Sequence, residues 1–226
     1  MPEPQGDTPR QRRALALARE RLSRLDPMLV AARAGVPYVA DQGQGGFWRV
    51  PFLGRVYRVS YPEGSVEDIG TGKPPHHAAN LILLHYLAQA DGAPVAGKWM
   101  AFRELPDGLI YHRAFVGRVE PPLVSVFGQR PERLLHAGRL LGGMALTFGD
   151  SSVSVDVLPR IRLACILYGG DEEFPPSAQV LFDAAAGHYL PIEDLAVLGG
   201  LFVGALCKAA LRIEKDSIDV TNTNEG

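Results

Sequence analysis

Cysteine is scarce in this chain of 226 residues, with only Cys165 and Cys207 present. Two thiols cannot by themselves ligate an Fe–S cluster or a cysteine-rich zinc site, so no Fe–S cluster is expected from this chain alone. Both lie in apolar runs, where a free cysteine packs as a small hydrophobe, and no disulfide framework is indicated. A basic excess is missing as well. Lys and Arg number 23 against 25 Asp and Glu, a net charge of −2, which argues against a nucleic-acid partner. The chain opens without the apolar stretch of a secretory signal. Its longest apolar run, Leu195 to Cys207, is 13 residues, short of the roughly 20 that span a bilayer. These absences lead to the expectation of a soluble, cytoplasmic protein with no membrane span.

Familiar catalytic signatures are absent too. No nucleophile elbow, His-Glu-x-x-His or dinucleotide fingerprint occurs. "GTGKPP" invites a phosphate-loop reading, but Glu67 and Pro74 stand where that motif needs Gly and Ser or Thr. His77 and His85 share a helical face but lie about 12 Å apart along the axis, too far for one metal. His85, amid Leu81, Leu84 and Ala88, reads as a histidine at the edge of a core.

What is present is sharp punctuation, with 25 Gly and 18 Pro. Thr8-Pro9-Arg10-Gln11 predicts a capped helix start. Leu15, Ala18, Leu22, Leu25 and Leu29 follow at helical spacing, interrupted by the second cap Asp26-Pro27 and stopped by Gly35. "GFWRVPFLGRVYRVSYP" predicts a hairpin turning at Leu53-Gly54. Pro75 to about Ala90 reads as a helix stopped by Gly92, and "KWMAFRELPDGLIYHRAF" as a second hairpin turning at Pro106-Asp107-Gly108. A helix is expected over 131–146. "SVSVDVLPRIRLACILY" gives two strands, the second central because 163–168 is continuously apolar. Helices are expected to start at about 176 and about 191.

Hairpins alternating with helices predict an α+β fold: a single domain with a mainly antiparallel sheet and helices packed against it. The expected division is an Arg-rich broken helix over 1–35, a core over 36–212 and a polar, frayed tail over 213–226. Charge is uneven along this plan. Residues 1–33 sum to +3 and residues 168–226 to −7, so each end could face a partner or simply solvent. Gly200 and Gly204 suggest close helix packing, inside the fold or at a homodimer seam.

The stretch "YGGDEEFPPSAQVLFDAAAGHYLPIEDLAVLGG" holds most of the candidate chemistry. Asp171, Glu172 and Glu173 follow a strand and precede Pro175-Pro176. They read either as helix-entry acids complementing a dipole, or as a hard-metal or acid/base group with Asp183 and His188. Asp183 lies beside an apolar run and needs a partner if buried; His188, Tyr189, Arg160 and Arg162 are the side chains at hand. His188-Tyr189, in the turn before the last helix, are candidates for holding a cofactor. Trp99 and Arg103 are candidates for lining a pocket with Phe102.

The residues Gly170 to Ala178, Leu181-Phe182-Asp183, Tyr189-Leu190-Pro191 and Glu193 to Ala196 resemble the domain of unknown function 3786 family. Trp99 to Pro106, Phe127-Gly128 and Pro51 to Gly54 with Tyr57 are similar to it as well. The likeness runs over about residues 30 to 210. It implies an anaerobe-associated protein, some of whose relatives occur beside Fe–S or corrinoid one-carbon proteins, and it supplies no catalytic residues. Three functions follow as expectations. The first is a binding or accessory module for a cofactor or partner protein. The second is a hydrolase or transferase centred on Asp171, Glu173, Asp183 and His188. The third is an interaction subunit docking through its N-terminal helix.

Overall fold

The computed structural model describes residues 8–43, 45–170 and 172–223, the last eleven as backbone only. It is α+β, with two antiparallel sheets and six α-helices among the described residues. The chain divides into two compact units. Of the described residues, the first holds those up to 94 together with the short segments 158–160 and 188–191, and the second holds the others.

In the first unit, α1 (Pro9–Ser23) starts on the full Thr8/Gln11 capping box. Asp26 caps α2 (Pro27–Ala34) through two backbone N–H groups, and Gly35 ends it in the left-handed conformation at φ 67°. β1 (Tyr38–Ala40), β2 (Gly46–Phe52), β3 (Arg55–Tyr61) and β4 (Val66–Asp68) form a sheet in sequence order. The β2–β3 hairpin turns at Leu53 and Gly54, both at positive φ, as a two-residue connection requires. Alternation along β2 buries Trp48, Val50 and Phe52. The Trp48 indole N–H donates to the Pro27 carbonyl at 3.0 Å. α3 (His77–Gln89) buries Ile82, Leu83, Tyr86 and Leu87, while His85 is half-buried at its edge.

One buried acid anchors this sheet. Asp68 is 5% exposed; its carboxylate accepts from the Arg55 guanidinium at 2.6 Å and from the Gly70 N–H at 2.8 Å. The Arg55 hydrogen bond, and then the backbone N–H groups, hold the Asp68 carboxyl below its ordinary 3.8. A carboxyl depressed in the fold stabilises it above the unfolded value, and the effect fades as pH falls through the depressed value. The deficit of Asp68→Asn relative to the parent should therefore be full at neutral pH and begin to narrow near pH 3.8. Paired thermal melts from pH 7 to pH 2 measure it; a deficit unchanged across that range would refute the assignment.

In the second unit, five strands run in the order β5 (Trp99–Ala101), β9 (Ser177–Asp183), β8 (Ile161–Tyr168), β7 (Ser151–Leu158), β6 (Met144–Ala145). β8 is central, as its continuous apolar run predicts. Three helices complete the unit: α4 (Gly108–Phe127), α5 (Glu132–Leu140) and α6 (Ile192–Thr223). α6 begins where Pro191 and the first-turn acids Glu193 and Asp194 place it, and among the described residues it runs to Thr223. Its stretch 192–212 is long and apolar enough to cross a membrane by length and composition, although half of it is buried in protein.

Two elements differ in kind from expectation. The second hairpin is instead a short strand, a 3-10 turn and a 20-residue helix, α4. The turn at 106–107 exists, with Asp107 at φ 59°, but it opens a helix. Phe115, Val119, Leu123 and Phe127, spaced by four, bury that helix's inner face. The helix expected at about 176 is the strand β9. Ala178, Val180 and Phe182 alternate inward, and a central position between β5 and β8 outweighs the helical look of "VLFDAAA". The helix expected over 131–146 stops at Leu140, and β6 follows.

Candidate functional site

With no helix following it, the acidic block needs another account. Gly169 and Gly170 leave the end of β8, and the Gly169 N–H is held by the Asp150 carboxylate at 2.6 Å. The chain then folds back to enter β9. Pro176 sits where two glycines make room for it. A Cβ on Gly170 would lie 2.7 Å from the Pro176 Cδ, and one on Gly128 3.2 Å from its Cγ. The result is an open recess of about 500 Å³, walled by Gly128, Gln129 and Pro131 on one side and by 169, 170 and 172–176 on the other. Glu172 and Glu173 are exposed at its rim, and the Phe174 ring is 66% exposed. Asp171 lies outside the described residues, so its part in the block is not placed.

The other singled-out residues are distributed as follows. Asp183, in the second unit, ends β9 and is 1% exposed. Its Oδ1 accepts from the Ala96 and Ala185 N–H groups at 2.8 and 2.9 Å, and its Oδ2 from the Gly97 N–H at 2.7 Å. Its partners are therefore backbone amides rather than any of the four side chains expected: Arg162 pairs with Asp156 at 2.6 Å, and Arg160, His188 and Tyr189 belong to the first unit.

There, His188 Nδ1 lies 2.7 Å from the Asp91 carboxylate, both side chains about half exposed at 54% and 49%. The Ala93 N–H, and secondarily His188, hold the Asp91 carboxyl below its ordinary range. Tyr189 is fully buried, its ring stacked on Tyr86 with centroids 5.5 Å apart and its hydroxyl donating to the Ala93 carbonyl. Burial raises the Tyr189 phenol. The Tyr86 hydroxyl in turn donates to the Ala34 carbonyl at 2.6 Å and accepts from the Arg160 N–H at 3.1 Å. Burial likewise raises the Cys165 thiol, which is fully enclosed.

Trp99 is half-buried on β5, opposite Asp183 in register. Arg103 is exposed on the 3-10 turn and borders a second, smaller recess of about 220 Å³ between α4 and β9. That recess has Phe102, Phe115, Val116 and Val119 as its apolar wall, with His112 and Glu120 at its edge. Sequence reading missed it because it needs α4, and the α4 signal was the four-residue spacing of Phe115 to Phe127. Among the described residues, no three His, Cys, Asp or Glu side chains gather as a metal site.

An α+β chain with antiparallel sheets and a buried acid, Asp183, tied to backbone amides is a class of protein rather than an activity. The chain belongs to the family described as Domain of unknown function (DUF3786), whose model matches residues 26–205. No curated protein and no solved structure matches it.

Proposed function

We propose that the protein is a binding module, and that its recess between Gly128, Gln129 and Pro131 and residues 169, 170 and 172–176 receives a basic segment of a partner protein. One observation carries this reading. Pro175-Pro176 lead into a strand, so Glu172 and Glu173 have no helix dipole to complement, and they stand beside an exposed phenylalanine at the mouth of a recess. Carboxylates and an exposed aromatic ring lining one recess suit a guanidinium, by charge and by cation–π attraction. The family likeness suggests partners among proteins of anaerobic one-carbon or Fe–S/corrinoid metabolism, where this chain would act as an accessory. Binding is favoured over catalysis because Asp183 already holds three amides and His188 is paired with Asp91.

The test titrates a short oligoarginine peptide into the full chain, read by NMR. Signals of Gly169, Gly170 and Phe174 should shift, with affinity falling as salt rises. Combining Glu172→Gln, Glu173→Gln and Phe174→Ala should weaken binding by about tenfold or more, a loss of about 1.4 kcal/mol per factor of ten. Shifts that survive the triple substitution unchanged would remove this recess as the binding site.

A further inference from the structure

β9 is paired unequally on its two sides. β8 covers it along its length, from Tyr168 opposite Ser177 to Leu163 opposite Phe182. On its other side β5 covers only 181–183, because the chain leaves the sheet at the 3-10 turn Phe102–Glu104. Among the described residues, therefore, 177–180 form a sheet edge with no strand beside it. Such edges are normally blunted by lysine, by inward charge or by a bulge. Here the residues are Ser177, Ala178, Gln179 and Val180, none charged.

The smaller recess lies along that same edge. Its lining takes in all of 177–181 and the α4 flank of His112, Phe115, Val116 and Val119. Its floor is firm: Phe102 stacks on Phe115 at 4.1 Å and both contact Phe182. A cavity of about 150 Å³ lined by apolar side chains holds a benzene ring, so 220 Å³ accommodates one large apolar side chain. An unpaired strand edge supplies main-chain hydrogen bonds, and a side pocket between strand and helix supplies selectivity. Together these are the two requirements of strand addition.

We infer that the groove between β9 and α4 binds an extended segment of a partner protein. The segment adds as a strand beside 177–180, in line with β5, and sets one apolar side chain against Phe115, Val116 and Val119. β5 supports this occupant, since the chain itself already uses the next three residues of the same edge for antiparallel pairing. The inference goes beyond the acidic recess and does not depend on it.

The experiment pans a displayed library of random heptapeptides against the full chain and maps the selected peptides by NMR and amide exchange. Enriched peptides should alternate apolar and polar residues, shift the amides of 177–180 and slow their exchange. Val116→Trp, which fills the recess, should weaken them by about tenfold. Gln179→Lys, at an exposed position that leaves the core intact, should weaken them as well. Glu172→Gln with Glu173→Gln should leave them bound, which separates this site from the acidic recess. Failure to enrich any peptide that shifts 177–180, or binding indifferent to both groove substitutions, overturns the proposal. So would a concentration-dependent dimer abolished by Gln179→Lys, which would assign the edge to a second copy of this chain.

Discussion

Asp183→Ala is expected to destabilise the protein by about 1–3 kcal/mol, the cost of leaving a buried donor without its acceptor. Three N–H groups lose their acceptor at once, and the removed carboxylate is 1% exposed. The Ala185 donor is the buried one, whereas Ala96 and Gly97 are exposed residues whose N–H groups water can reach. Full relaxation is hindered because Ala96 and Gly97 are fixed just ahead of β5, which pairs with β9, and the Ala184 N–H donates to the Lys98 carbonyl at 2.9 Å. Asp183→Asn keeps the shape but turns an N–H₂ toward at least one donor, so it should fall between parent and alanine. Urea unfolding measures both. A loss under about 1 kcal/mol for the alanine variant, within the range of ordinary surface substitutions or slightly above it, would mean that the amide cradle is not what holds this acid.

The second large effect belongs to Tyr189. Replacing it with alanine should cost about 3–5 kcal/mol, as for other buried aromatic side chains, because its ring is fully enclosed against Tyr86. Tyr189→Phe removes only the hydroxyl donated to Ala93 and should cost about 1 kcal/mol. His188→Ala, next door, should cost under about 1 kcal/mol, since its pairing with Asp91 is open to solvent. The steep drop from one neighbour to the next is the measurable signature: Tyr189 stabilises the first unit, while His188 makes only a solvent-exposed pairing at its surface. Equal losses at the two positions would contradict this division.

Local chemistry was legible in the sequence wherever one residue sets one geometry. The Thr8 capping box, the Asp26 cap, the Gly35 stop and the Leu53-Gly54 turn all stand where their side chains or missing side chains put them. Elements were misjudged where two periods compete. "SAQVLF" alternates by two, but the alanines beyond it suggest a helix, and only pairing with β5 and β8 decides the matter. In α4, Pro121-Pro122 interrupt the pattern, yet the helix continues because packing of Phe115, Val119, Leu123 and Phe127 outweighs the lost hydrogen bonds. Partners at long range were not legible at all. Asp183 meets amides 86 and 87 residues upstream, and His188 meets a carboxylate 97 residues away. Backbone donors have no signature in sequence, so an acid satisfied by them looks, from sequence, like an acid awaiting chemistry.

The short length of β5 has a consequence for solution behaviour. It shields only the last three residues of β9, a seven-residue segment whose one charge is Asp183. That acid also holds the two amides leading into β5. The group that fastens the guard strand is thus the only charge on the strand being guarded. Releasing β5 by removing it would lengthen an edge whose residues 177–180 already carry no charge, a condition under which strands from separate molecules pair. Asp183→Ala is therefore expected to aggregate at a lower concentration than the parent, as light scattering would measure.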